Sequence, residues 1–274
     1  MVVVRMRTRW ISVVTALCLP ACNASTTSTF STLAPTAGTS PSPDVAASDE
    51  NREQPVTAIS EPLGAVCRLQ VQRIHEVLGV PRSKPNFFSS GAYIGDGLIV
   101  TAAHNVFSSS GVVSSKVGDV AVECGVTEHR EGAGQIPGFN NSFVAIWPGY
   151  RFGDFRDDMA LVRIATPAAA SFDVAPDDVP ITAGEDIYLA GFPGVGYGDG
   201  EYMFQGHGKI LTVDANFLTY DIATTTGNSG GPVWVRSGGR ILLVGVHVSG
   251  DDHGTARARR LSASRIARLK AALH

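Results

Sequence analysis

From about residue 63 onward the chain is a succession of short apolar runs broken by glycine, proline, aspartate and asparagine, and that punctuation decides what it can fold into. Ala65 to Val71, Gly91 to Thr101, Val117 to Cys124, Phe143 to Trp147, Met159 to Ile164, Asp186 to Ala190, Gly208 to Val213, Phe217 to Ile222, Pro232 to Val235 and Ile241 to Val248 all have strand length and strand composition. With 30 glycines and 15 prolines among 274 residues, helices would be interrupted too often for a bundle. The pattern implies an all-β barrel or sandwich, and no strand-helix alternation points to a parallel sheet. Only the end reads as helix: Ser262 is placed to cap Ala263 to Leu273, where Ile266, Leu269 and Leu273 recur on one face and Arg265, Arg268 and Lys270 on the other.

The first sixty residues do not belong to that pattern. Arg5, Arg7 and Arg9 precede an apolar run from Trp10 to Cys22, shorter than the roughly 20 residues of a membrane span, so residues 1–22 read as a signal peptide. Leu19-Pro20-Ala21-Cys22 resembles the lipobox of bacterial lipoproteins, which implies lipidation of Cys22; ordinary signal cleavage in the same stretch is the alternative. Either route exports the protein. Residues 23–62 are rich in Ser, Thr, Pro and Ala without an apolar period, the composition of a disordered tether or a pro-segment. The folded part is thereby expected at 63–274.

The charges nearly balance, 22 basic against 25 acidic, which argues against a nucleic-acid partner held by counterion release. Of four cysteines, Cys18 falls inside the signal peptide and Cys22 is lipidated or lost with it. Cys67 and Cys124 remain, an even pair in an exported domain, and are expected to form a disulfide. Closing that loop of roughly 57 residues is worth about 4 kcal/mol in the chain-entropy model.

Three segments carry chemistry. Ile99-Val-Thr-Ala-Ala-His104-Asn is an apolar strand ending on a histidine, Arg156-Asp-Asp158-Met-Ala-Leu-Val sets an acid before a strand, and Thr224-Thr-Thr-Gly227-Asn228-Ser229-Gly230-Gly231-Pro232 puts a serine in a glycine turn. In this order they resemble the chymotrypsin-fold serine peptidases, over roughly residues 63 to 273. The resemblance implies two antiparallel six-stranded β-barrels with a C-terminal helix, the boundary between barrels near 170–185, and an active-site cleft shared by both. Met203 to Ile210, Tyr220 to Pro232, Gly245-Val-His247 and Gly191-Phe-Pro-Gly194 are most similar to the bacterial glutamyl endopeptidase branch.

Each implied role has a physical requirement. A serine hydroxyl is a weak nucleophile at neutral pH, so Ser229 needs a base, and histidine titrates near enough to neutrality for His104 to take and return the proton. Asp158, with Asp157 as its rival, would fix the imidazole tautomer and stabilise the imidazolium. The amides of Gly227 and Ser229 would face the developing oxyanion. Ala223, six residues before Ser229, offers no carboxylate for a basic side chain. Thr224 and His247 match the positions that bind an acidic side chain in glutamyl endopeptidases, and the substrate-binding set extends to Val248, Ser249 and Gly250; a packed strand histidine is the other reading of His247. Asn228 carries no charge with which to receive a freed amino terminus, as the Asp of pancreatic-type enzymes does.

The resulting expectation is an exported serine endopeptidase, a monomer acting on protein or peptide substrates and cutting after Glu or Asp, with no metal or cofactor and no membrane contact beyond an N-terminal lipid. An HtrA-like quality-control peptidase without a PDZ domain and a catalytically silent peptide-binding lipoprotein are the alternatives. Asp251-Asp252-His253 reads as a solvated loop, Asp96 as a hairpin turn, and His75, His129, His207 and His274 lack zinc spacing.

Overall fold

The computed structural model describes residues 51–77, 80–83, 87–110, 113–127, 144–165, 167–194, 199–250 and 254–273. Cys22, the signal peptide, the tether up to residue 50 and Asp251-Asp252-His253 lie outside the described residues. By contact the chain divides into Met1–Asp44 and Val45–His274, and every described element belongs to the second unit.

In chain order the elements are β1 (Gln54–Pro55), β2 (Val66–Val77), β3 (Val80–Ser83), β4 (Phe87–Tyr93), β5 (Leu98–Thr101), the single turn α1 (Ala103–Val106), β6 (Phe107–Ser110), β7 (Val113–Cys124), β8 (Val144–Ile146), β9 (Ala160–Arg163), β10 (Asp173–Val174), β11 (Asp186–Gly191), β12 (Phe204–Val213), β13 (Phe217–Tyr220), β14 (Pro232–Ser237), β15 (Arg240–Gly250), β16 (Ala256–Arg260) and α2 (Ala263–Ala271). The all-β architecture expected from the punctuation of the sequence is present. No helix of the described residues is long and apolar enough to cross a membrane.

The strands form two sheets. The second runs β12-β11-β14-β15-β16-β13, and because β13 also pairs with β12 it closes into a six-stranded barrel, with β1 and β10 added outside the ring. Register shifts at Ile210/Thr212, Val233/Trp234 and His247/Ser249 mark the bulges that bend strands enough for closure. The first sheet runs β6-β7-β2-β4-β5-β9-β8, with β3 on β2. It does not close among the described residues, so the two expected β units are present as one closed six-stranded barrel and one half-barrel. Its edge strand β8 has three residues and pairs with β9 alone, while β6 at the other edge pairs with β7 alone, so no ladder joins the two edges. The crossing between sheets follows β9, and β10 within it pairs in parallel with β15.

The folded part also starts earlier than composition suggested. β1 pairs with β12 through Gln54↔Gln205 and Pro55↔Phe204, and Arg52 bridges to Ala223, so residues 51–56 lie on the domain rather than in a tether.

Cys67 and Cys124 face each other across β2 and β7 and are joined by a disulfide of sequence separation 57. Replacing both with serine is expected to lower unfolding free energy by roughly 2–4 kcal/mol, read from urea denaturation. An unchanged midpoint would mean that the staple joins strands already held by their neighbours. The terminal helix forms as its periodicity predicts, with Ile266 and Leu269 buried. Its cap differs from expectation: the Ser262 side chain makes no capping bond, and Asp177 accepts from the Ser264 amide (3.2 Å) and hydroxyl (2.7 Å). A carboxylate from a distant loop does there what a local hydroxyl was expected to do.

Candidate active site

The site is built where the half-barrel meets the barrel. β5 is buried along its whole length, and the small side chains of Ala102 and Ala103, fully buried, let the chain turn at once into α1, which carries His104 at its start. Asp158 follows the short helical turn Phe155–Asp157 and precedes β9. It holds His104 at two points, accepting from the backbone N–H through Oδ1 (2.8 Å) and meeting ring Nδ1 through Oδ2 (2.5 Å). Asp158 is 1% exposed and His104 23%, so the carboxylate is sealed while part of the His104 side chain reaches solvent. Asp157 points elsewhere, lining a surface depression with Trp147, Arg259, Arg265 and Arg268.

Ser229 sits in a turn of the second sheet whose geometry requires its glycines. Gly227 and Gly230 have φ of 104° and 86°. The amides of Asn228, Gly230 and Gly231 donate to Thr225 O, His247 O and Asn228 O at 3.3, 2.8 and 2.8 Å. The amides of Gly227 and Ser229 have no backbone acceptor among the described residues. Two donors of one turn are thereby without a backbone partner among the described residues.

The turn is tied to the first sheet by groups that sequence reasoning missed. Ser90 on β4 donates through Oγ to Gly227 O (2.8 Å), accepts from Phe192 N (2.8 Å), and through its amide meets Ser229 O (2.9 Å). Asn105, next to His104, gives its side-chain amide to Ser229 O (2.7 Å) and Thr101 Oγ1 (3.0 Å), and Thr101 Oγ1 donates to Ser90 O (2.7 Å). The only local signal was a polar pair, Ser89-Ser90, in an otherwise apolar strand, and an amide directly after the motif histidine.

Beside Ser229 lies a second group of buried polar side chains. His247 on β15 is fixed by its own backbone, with its N–H to Gly231 O at 2.9 Å and its carbonyl to Gly230 N. Its ring Nδ1 meets the Tyr220 hydroxyl at 2.7 Å. Burial, with the His104 charge as a lesser cause, pushes the imidazole down to about 3, so it is neutral at neutral pH. Burial and then the Glu53 charge raise the Tyr220 phenol. Thr224 Oγ1 is buried without a hydrogen-bond partner. A Cβ at Gly250 would collide with Thr224 Oγ1 and lie 3.2 Å from His247 Cε1, so these three sequence-selected positions converge. Val248 is buried and Ser249 half-buried on the bulged stretch between them.

A family model described as a trypsin-like peptidase domain matches residues 89–246. Solved structures share the fold. A Glu endopeptidase in complex with MPD superposes with a TM-score of 0.60 at 20% identity, covering 84% of this chain and 99% of that one. A thermostable serine protease, AL20, from an extremophilic microorganism gives 0.58 at 14%, covering 77% and 97%. Human heparin binding protein gives 0.57 at 16%, covering 78% and 92%. Among curated protein sequences none matches.

Proposed function

Because the chain belongs to the family of trypsin-like peptidase domains, we propose that it hydrolyses peptide bonds through an acyl-enzyme formed on Ser229. The observation that carries this reading is the two-point hold of Asp158 on His104 beside the Ser229 turn. In the proposed reaction the Ser229 Oγ–H proton passes to His104 Nε2 as Oγ attacks the substrate carbonyl carbon. Nδ1–H stays on the ring, pointed at Asp158 Oδ2, and the carboxylate offsets the new imidazolium charge. The oxyanion takes the two free amides of Gly227 and Ser229, His104 returns the proton to the leaving amine, and water repeats the sequence to release the acid. Labelling by a fluorophosphonate probe tests the reading. Folded, mature protein that fails to label at Ser229 would instead be a peptide-binding module.

For specificity, the proposal is cleavage after Glu or Asp. A neutral His247 whose Nδ1 accepts from Tyr220 carries its proton on Nε2, and the partnerless Thr224 hydroxyl is a second donor; together they suit a carboxylate. Val248, Ser249 and Gly250 would pair with the substrate backbone as an added strand. Peptides varied before the scissile bond check this, and indifference to Glu there would sink it. His247→Ala is expected to lower the ratio of kcat/KM for Glu over Gln peptides by about 10–100-fold, the worth of one hydrogen bond to a charge. The ratio is insensitive to any change in folded fraction.

The disulfide supports export of the domain. Whether export ends in a Cys22 lipid anchor is decided by mass spectrometry of the mature amino terminus.

A further inference from the structure

Asn228 stands directly before Ser229, is fully buried, and donates from Nδ2 to Glu53 Oε2 at 2.7 Å across 175 positions of sequence. Glu53 is 6% exposed and belongs to the segment that composition assigned to the tether. That segment is held on both sides of Glu53: Asn51 O accepts from Ala223 N (3.0 Å), and Val56 N donates to Met203 O (2.8 Å) after the β1–β12 pairing. The Glu53 side chain runs past Gly206, where an added Cβ would stand 3.3 Å from Glu53 Cγ. Its carboxyl thus enters the barrel wall through a space that a side chain at 206 would narrow.

The pair occupies a position that matters for chemistry. Asn228 accepts at its carbonyl from Gly231 N and donates its amide to Thr225 O, so its rotation would turn the peptide that carries the Ser229 amide and the one that carries the Gly227 carbonyl. A Cβ on Gly191 would meet Asn228 Oδ1 at 2.6 Å, so the carboxamide is boxed in from the opposite side.

We propose that Glu53 is a positioning residue for the oxyanion hole, clamping Asn228 from an internal segment of the chain so that the 227–231 turn holds its donor geometry without a freed amino terminus. Burial pushes the Glu53 carboxyl up to about 8 against the opposing pull of the Asn228 hydrogen bond. It therefore keeps its proton at neutral pH and can pair with an uncharged amide. In that state Oε2 accepts from Asn228 Nδ2 and the proton is carried on Oε1, the carboxyl oxygen without a hydrogen-bond partner. An aspartate at 228 would set two carboxyls together, whereas Asn fits a partner that is itself an acid.

The inference rests on the peptidase reading, and the experiment separates the two. Wild-type chain is assayed first with a fluorophosphonate and a cleaved peptide; absence of reaction there overturns the peptidase reading. With wild type active, Glu53→Met, which keeps length and removes both oxygens, is expected to lower kcat about 100-fold, as loss of an oxyanion donor does, with KM within threefold. Glu53→Gln, which restores an oxygen acceptor, is expected to return kcat to within about fivefold of wild type. A fall in KM-type binding with kcat unchanged, or equal losses in Met and Gln variants, overturns the proposal. Should Glu53→Met fail to fold, the exchanged pair decides. Asn228→Asp alone lowers kcat at least about tenfold, and Asn228→Asp with Glu53→Gln, which rebuilds one acid and one amide, recovers it. No recovery overturns the clamp.

Discussion

Ser229→Ala is expected to lower kcat for peptide hydrolysis by about a millionfold while leaving the urea midpoint within the range of a neutral surface change, since removal of an activated nucleophile costs that much in a comparable machine. The turn that carries it is held by backbone contacts to Ser90, Thr225 and His247, none of which uses the Ser229 side chain. Asp158→Asn should cost about ten-thousandfold, because an amide in the place of the carboxylate donates toward His104 Nδ1 and reverses the tautomer. The double variant Ser229→Ala/Asp158→Asn should be no slower than Ser229→Ala, since groups that act as one unit do not add. Residual kcat within a hundredfold of wild type in Ser229→Ala, or additive losses in the double variant, would falsify the assignment of these residues. Active-site titration fixes the concentration of competent wild type, and absorbance that of the Ser229→Ala variants, which carry no nucleophile to titrate.

Gly230→Ala should destabilise the domain by at least about 4–5 kcal/mol and abolish activity, an exceptional effect for one methyl group. Its φ of 86° already excludes most side chains. The added Cβ would also collide with Ser90 O and Thr101 Oγ1 and stand 2.6 Å from Asn105 Nδ2. Two of these atoms belong to the first sheet and the third to α1 that follows it, and together they form the network that binds the Ser229 turn, so the substitution wedges the half-barrel from the barrel where the two meet. Gly238, where a Cβ would meet nothing within 4 Å, supplies the control: φ is positive there too, at 57°, but the space is open, and the cost should be limited to backbone strain of about 1–2 kcal/mol. Similar midpoints for the two variants would show that the inter-sheet contact carries little of the stability.

What the sequence disclosed and what it withheld divide along range. Strands such as Met159 to Ile164 and Ile241 to Val248 are written in their own composition, and the helix over Ala263–Ala271 in its own period. The candidate residues His104, Asp158 and Ser229 stood out because each sits in a short local pattern, a small-residue turn, an acid before a buried strand, and glycines around a serine. Closure of a sheet was not legible, because whether β8 meets β6 depends on ladders between residues far apart in sequence. Glu53 was hidden for the same reason. Its neighbours Arg52, Gln54 and Pro55 look like linker, and its partner is 175 positions away. Ser262 shows the converse failure, where a good local cap signal was overridden by Asp177 arriving from a loop.

The bonds from Ser90 to Gly227 and Ser229 have a consequence for timing. A chain emerging in order from its N-terminus presents β4, α1 and β9 first, so His104 and Asp158 can be seated early. The turn that completes them comes 137 positions after Ser90 and takes its last ties from His247 on β15. Every partly emerged chain thus holds a histidine and an aspartate with nothing for them to activate. On the peptidase reading, hydrolytic power arises only once nearly the whole polypeptide is available to fold, so a partly made chain cannot cut what surrounds it.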